Sequence, residues 1–112
     1  MKLGEIAHSR AGDKGNISNL SLIAYEESDY EFLKEHITPQ KVKTFFKERI
    51  KGTVTRYELP KIAAFNFVLK SSLYGGVTRS LALDPHGKSL SSYFLLMEID
   101  ENAYCAYKKS LD

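Results

Sequence analysis

The densest chemistry in this sequence lies between His8 and Asn16. His8-Ser9-Arg10-Ala11-Gly12-Asp13-Lys14-Gly15-Asn16 gathers an imidazole, a guanidinium, a carboxylate and an ammonium within nine residues. Gly12 and Gly15 let backbone N–H groups approach a ligand closely. Arg10 and Lys14 suit a phosphate or a carboxylate, and Arg10 can bind one bidentately. Asp13 can pair with either cation and fix the loop. The plain alternative is a surface turn whose charges pair with one another. The pattern is not a Walker loop, which needs G-x-x-x-x-G-K-[ST]. His8 falls at an expected strand end. Histidine titrates nearest neutrality of the side chains, so His8 can act as a general acid or base. It can equally be a hydrogen-bonded structural residue.

A second polar feature is Tyr74-Gly75-Gly76-Val77-Thr78-Arg79. Paired glycines followed by Thr78 and Arg79 can form a backbone anion nest with Arg79 supplying charge. The same glycines can simply end one element and start the next. Asn66 interrupts an apolar run, Phe65-Asn66-Phe67-Val68-Leu69, and must be satisfied if buried. It either ties down a neighbouring loop or faces solvent or a partner. His36 and His86 fall at a helix end and in a turn, with no carboxylate at ligand spacing, so no metal site and no cofactor are expected. Cys105 lies between Tyr104 and Ala106 with nothing beside it to activate a thiol. There is no G-x-S-x-G elbow. Tyr93 and Phe94 near Lys88 evoke a base-stacking sheet, but the RNP pattern is absent.

Elements must position these groups. Residues 2–8 read as a short strand, the polar stretch 9–16 as a loop, and 17–25 as a strand with Leu20, Leu22 and Ala24 on one face. Ser28 and Glu31 match a capping box for a short helix ending near His36. Thr38 caps a second helix with Pro39 at its first position. Val42, Phe45, Phe46 and Ile50 form its apolar stripe, and Gly52 ends it. Residues 53–59 read as a strand stopped by Pro60. Residues 61–74 fit two periods. Phe65, Phe67 and Leu69 alternate, while Ile62, Phe65, Leu69 and Leu73 fit a helical face, and the length and Gly75-Gly76 tip the reading to helix. Residues 77–83 and 89–99 read as a hairpin about the turn Asp84-Pro85-His86-Gly87. Residues 100–112 read as a polar tail.

The sum is an α+β domain, a mainly antiparallel sheet of four or five strands with helices on one face. The 112 residues fit one domain, with a core over about residues 2–99 and the tail beyond. Sixteen Lys and Arg against fourteen Asp and Glu leave a net charge of +2, which argues against nucleic acid and against an acidic disordered region. No apolar run is long enough to span a membrane. The opening residues carry no signal-peptide pattern, so a cytoplasmic location is expected. A chain this size buries one modest core, and a sizeable ligand cavity would need help from a partner chain.

Leu3-Gly4-Glu5-Ile6-Ala7-His8-Ser9-Arg10-Ala11-Gly12-Asp13-Lys14-Gly15-Asn16 resembles the opening of the small C-terminal domain of the acyclic terpene utilisation (AtuA) family. Val54-Thr55-Arg56-Tyr57-Glu58-Leu59-Pro60, Phe65-Asn66-Phe67-Val68-Leu69, Gly75-Gly76-Val77-Thr78-Arg79-Ser80-Leu81 and Asp84-Pro85-His86-Gly87-Lys88-Ser89-Leu90 agree in order. The resemblance implies a ferredoxin-like sandwich. It implies a stand-alone small subunit that works with a separately encoded large AtuA-like subunit in breakdown of acyclic terpenes through branched acyl-CoA intermediates. It carries over motif positions, not catalytic roles: His8, Ser9, Arg10, Gly12, Asp13, Lys14, Gly15 and Asn16, then Asn66, Gly75, Gly76, Thr78 and Arg79. The competing expectation is a self-sufficient homo-oligomeric lyase or hydratase acting on a thioester. His8 would then be its acid/base group, with Arg10, Lys14 and Arg79 on the phosphates.

Overall fold

The computed structural model describes residues 1–14, 17–46, 52–70 and 90–111. Its strands are β1 (Ala7–His8), β2 (Ala11–Lys14), β3 (Ile17–Ala24), β4 (Val54–Leu59) and β5 (Ala64–Lys70). Its α-helices are α1 (Tyr30–His36), α2 (Pro39–Phe46), α3 (Leu90–Phe94) and α4 (Glu101–Ser110). The described strands form one antiparallel sheet. β3 and β5 are central, β4 lies outside β5, and β1 and β2 share the far side of β3. This is the expected α+β architecture.

Alternation builds the sheet. On β3, Ser18, Leu20, Leu22 and Ala24 are buried while the residues between them are half-buried or exposed. On β5, Phe65, Phe67 and Leu69 are buried, flanking half-buried Asn66 and Val68. The buried face meets the helices through aromatic rings. Tyr30 of α1 lies parallel to Phe65 at 4.7 Å, and Phe94 of α3 meets Phe67 edge-on at 5.6 Å. Phe46 of α2 reaches Phe94 at 5.9 Å. Such pairs add to the area they bury. The Tyr30 hydroxyl is buried without a hydrogen-bond partner among the described residues, and burial, with Glu58 next in weight, raises its pKa.

Several expectations are corrected. The stretch from 61 is not a helix. A 3-10 turn over Pro60–Ile62 ends at Ala63, whose left-handed φ of 52° breaks any helix, and β5 follows. The helical and strand periods share Phe65 and Leu69, and β-favouring neighbours decide for the strand. The expected strand over 89–99 is not one over its described residues. Leu90–Phe94 is helical, with the Leu95 N–H donating to Ser91 O at 3.1 Å. The short apolar run through Tyr93 to Met97 has no period of its own strong enough to choose. Residues 71–89, with the expected strand 77–83 and the turn at Pro85, lie outside the described residues, as does Ile50.

The chain start is not one strand either. Leu3–Glu5 is a 3-10 turn, and the backbone beside it pairs with the segment leaving α3. The Leu3 N–H donates to Met97 O at 2.8 Å and the Gly4 N–H to Leu95 O at 2.9 Å. A Cβ on Gly4 would come within 3.3 Å of Leu95 Cβ, so the approach favours glycine. Residues 9–14 are not all loop, because β2 supplies the hydrogen-bond partners that the open side of β3 needs.

Helix starts follow local chemistry. Thr38 Oγ1 accepts from the Lys41 N–H at 3.1 Å, as the capping pattern requires. The Ser28–Glu31 box does not form. Glu27–Asp29 winds as a 3-10 turn, so α1 starts later, with Asp29 at its N-cap and no side-chain cap bond. The other end of α1 is held by Arg56 of β4. Arg56 Nη1 donates to Lys34 O at 2.7 Å and Ile37 O at 3.0 Å, and the guanidinium lies over the Phe65 ring at 5.2 Å. A cation at a helix C-terminus satisfies orphan carbonyls and opposes the dipole.

The expected tail is an ordered helix. Asp100 caps α4 by accepting from the Ala103 N–H at 3.1 Å. Tyr104 and Tyr107 pack on Phe32 at 5.1 and 5.4 Å. Asp29, only 1% exposed, accepts from the Tyr104 hydroxyl and from Lys108 Nζ, both at 2.9 Å. Lys108 also reaches Glu26 at 3.1 Å and Ser28 Oγ at 3.2 Å, and the Tyr107 hydroxyl donates to Ser28 O.

Two outcomes are expected. Arg56→Ala lowers unfolding free energy by about 3 kcal/mol in urea titration, because two charge-assisted bonds to carbonyls are lost. Arg56→Lys recovers only part, since an ammonium lacks the planar fork. Burial, and then the bond to Asp29, raise the Tyr104 pKa from 10.0 to about 12. The bond to Asp29 raises that of Lys108. Both protons are held more tightly folded than unfolded, so their stabilisation is full below pH 10 and declines as pH rises towards about 12. Melting temperature measured across that range falls less steeply in Tyr104→Phe than in the parent chain.

Candidate functional site

The sheet face opposite the helices carries the motif residues. The register along the outer edge of β3 pairs Ala7 with Ala24, His8 with Ile23, Ala11 with Leu20 and Gly12 with Asn19. The same register holds through both strands, so β1 and β2 are one edge strand interrupted at Ser9 and Arg10. The interruption is chemical. The Ser21 N–H donates to Arg10 O at 2.9 Å as in a regular ladder. The Arg10 N–H instead donates to Ser21 Oγ at 2.9 Å, and the Ser9 hydroxyl takes the Ser21 carbonyl. Side-chain hydroxyls thus replace one rung of backbone pairing.

Residues in step on a strand share a face. His8 and Arg10 are in step, about 7 Å apart along the strand. They stand opposite Ile23 and Ser21, whose neighbours on β5 are Ala64 and Asn66. Asn66 pairs in turn with Tyr57 of β4 and Ala64 with Leu59. Two rows therefore cross the sheet. One runs Arg10, Ser21, Asn66, Tyr57. The other runs His8, Ile23, Ala64, Leu59. With strands about 4.8 Å apart, each row spans about 14 Å.

The rows differ in character. Arg10 is exposed and Asn66 half-buried, giving a cation and an amide on one line. The His8 ring stacks on the exposed Tyr25 ring at 5.3 Å and 25°, and Leu59 is exposed at the other end. Ile17 and Tyr57 add further exposed apolar surface. The face can hold a planar or apolar group over Tyr57, Ile23 and Leu59. Its hydrogen bonds would come from Asn66 and its charge from Arg10.

The remaining motif residues divide. Gly12 pairs with Asn19, in step with His8 and Arg10. Lys14 pairs with Ile17, also in step, whereas Asp13 pairs with Ser18 and is out of step. Gly15, Asn16, Gly75, Gly76, Thr78 and Arg79 lie outside the described residues. Cys105 is exposed on α4. Among the described residues no group of three or more His, Cys, Asp or Glu is placed to hold a metal ion, and no helix is long and apolar enough to cross a membrane.

Sequence reading missed Ser21, Tyr57 and Arg56. Thr55, Tyr57 and Leu59 alternate with Arg56 and Glu58. That alternation signals a strand but not which face is turned inward, because the half-buried member of the pattern is an arginine. Ser21 looked like an ordinary strand residue, and only the pairing partner reveals its hydroxyl as the edge clasp.

A family model described as the AtuA ferredoxin-like domain matches residues 1–100 of this chain. No curated protein and no solved structure gives a significant match.

Ser21→Ala removes the acceptor of the Arg10 amide. Native-state hydrogen exchange at that amide is expected to speed up about fivefold, the equivalent of about 1 kcal/mol. Exchange at Phe67 in the sheet centre should stay unchanged.

Proposed function

The chain belongs to the AtuA ferredoxin-like domain family, and from that premise we propose that it is a small docking subunit. Its open sheet face receives a separately encoded large AtuA-like subunit. The pair works in the cytoplasm on acyclic terpenes or branched acyl-CoA intermediates. The observation behind this reading is the makeup of that face. Exposed Tyr25, Tyr57 and Leu59 border a row of Arg10, Ser21 and Asn66, and no described helix covers them. An apolar patch rimmed by polar groups is the usual form of an interaction surface. One sheet face offers a small molecule a single wall, and a partner chain would supply the second.

A second reading has one specific observation in its favour, the in-step placement of His8 and Arg10. It is a self-sufficient homo-oligomeric lyase or hydratase acting on an acyl-CoA thioester. His8 would move the proton, and Arg10, Lys14 and Arg79 would hold the phosphates.

The two readings separate experimentally. Co-expression with the large AtuA-like subunit is expected to give a co-purifying complex. Asn66→Lys, which puts an ammonium in the middle of the face, should cut recovery at least tenfold at an unchanged melting temperature. Acyl-CoA esters should leave the melting temperature of the isolated chain unmoved. Recovery of the chain from its native host without a large partner overturns the subunit reading. A rise in melting temperature with CoA esters, together with a loss of about 10²–10⁴ in rate in His8→Ala, supports the enzyme reading.

A further inference from the structure

We propose that two copies of this chain pair through the outer edge of β4 and extend the sheet across a twofold axis. Among the described residues β4 is paired on one side only, with β5. Such an edge offers a row of unpaired backbone groups. Which residues offer them follows from one bond. The Lys70 N–H donates to Thr53 O at 3.0 Å, so Thr53 and Lys70 form a hydrogen-bonded pair. Hydrogen-bonded and non-hydrogen-bonded pairs alternate along an antiparallel ladder. Thr55, Tyr57 and Leu59 therefore direct their backbone groups to β5. Val54, Arg56 and Glu58 direct theirs outward.

Charge selects the register of self-pairing. An axis through Arg56 would set Arg56 against Arg56, and one through Glu58 would set Glu58 against Glu58. Like charges directly opposite are unfavourable. An axis through Tyr57 sets Arg56 of each copy against Glu58 of the other, and each such pair can exchange both backbone bonds. Val54 then faces Pro60 of the second copy. The missing proline N–H leaves one outward carbonyl per copy to water at the fringe of the pairing. Of the axes through β4 residues, the one at Tyr57 is the one that sets Arg56 opposite Glu58.

The same register covers what the edge leaves exposed. Tyr57 is 54% exposed and Leu59 42%. Tyr57 meets Tyr57 of the second copy as a non-hydrogen-bonded pair, where side chains lie closest. Leu59 meets Thr55. The opposite edge of the sheet is less suited to pairing, because its ladder is interrupted at Ser9 and Arg10. Pairing at β4 would join two open faces into one continuous surface. The inference does not rest on the subunit reading, since it is argued from the β4 backbone and its charges alone; Tyr57 and Leu59 border both the edge and the open face.

The test uses the full chain. Sedimentation equilibrium should give twice the monomer mass. Glu58→Lys, which opposes two cations at each crossing, should return the mass to that of a monomer while far-UV circular dichroism stays unchanged. Because Glu58 also contacts Lys34 at 3.6 Å and Arg56 Nη2 at 3.3 Å within its own chain, a second variant guards against misfolding. Tyr57→Cys in a Cys105→Ala background should form an intermolecular disulfide under mild oxidation, since non-hydrogen-bonded pairs bring Cα atoms within about 4.5 Å. Thr55→Cys in the same background should not. A monomer at all concentrations overturns the proposal. A dimer that cross-links in the Thr55→Cys variant and not in the Tyr57→Cys variant overturns it as well.

Discussion

The structure depends on burying one face of the central strand pair. Leu20 and Leu22 of β3 stand opposite Phe67 and Phe65 of β5, and all four are fully buried against the helices. A slip of one residue between these strands would carry one strand's set to the other face. Exposing Phe65, Phe67 and Leu69 together, at roughly 1.5–3 kcal/mol each plus the voids left behind, would cost an amount comparable to the net stability of a small domain. The register is therefore fixed by apolar burial. Everything on the opposite face inherits its position. Ser21 sits beside Asn66, and Asn66 beside Tyr57, because Leu22 must meet Phe65.

The periphery is held by polar contacts that a small core cannot replace. Arg56 takes the last carbonyls of α1, and Asp29 takes Tyr104 and Lys108 of α4. Both join segments distant in sequence, and both work at helix ends, where backbone groups lack intrahelical partners. Asp29 is nearly inaccessible to solvent, which makes its two donors a requirement of its burial. The Tyr30 hydroxyl is the counterexample. It is buried with no partner among the described residues, a cost of about 1–3 kcal/mol that the parallel contact with Phe65 and the area of the ring must offset.

The legible parts of the fold are those where one physical signal acts alone. The alternation in β3, the Thr38 cap with Pro39, and the β-rich run ending at Pro60 each identified its element. The misread parts are those where two signals overlap. Phe65 and Leu69 serve a period of two and a period of four equally, and β-favouring neighbours decide together with the left-handed turn at Ala63, a conformation that alanine does not announce. The helix α4 looked like a tail because its partners, Ser28, Asp29 and Phe32, lie more than seventy residues away. The polar stretch after His8 reads as a loop, yet Ala11–Lys14 is strand. For the site, His8, Arg10 and Asn66 were legible as residue types, but their common face is a product of long-range register.

The division between the two sheet faces explains how such a chain can carry chemistry at all. The buried face is filled by phenylalanine and leucine, and its polar groups are Ser18 and, on β4, Arg56, which is committed to the carbonyls of α1. The open face bears no such load. Arg10, Asn66 and Tyr57 can change without disturbing the contacts that set the register, so recognition and stability are carried by different residues of the same strands. Only Ser21 belongs to both, since its hydroxyl ties the edge strand that holds His8 and Arg10. That clasp replaces a backbone rung and turns the outer strand into two short pieces, an arrangement that discourages edge-to-edge pairing. The β4 edge has no equivalent break before Pro60. The two edges of the sheet are therefore unequal: one is closed around the polar site and the other stays regular enough to accept a strand.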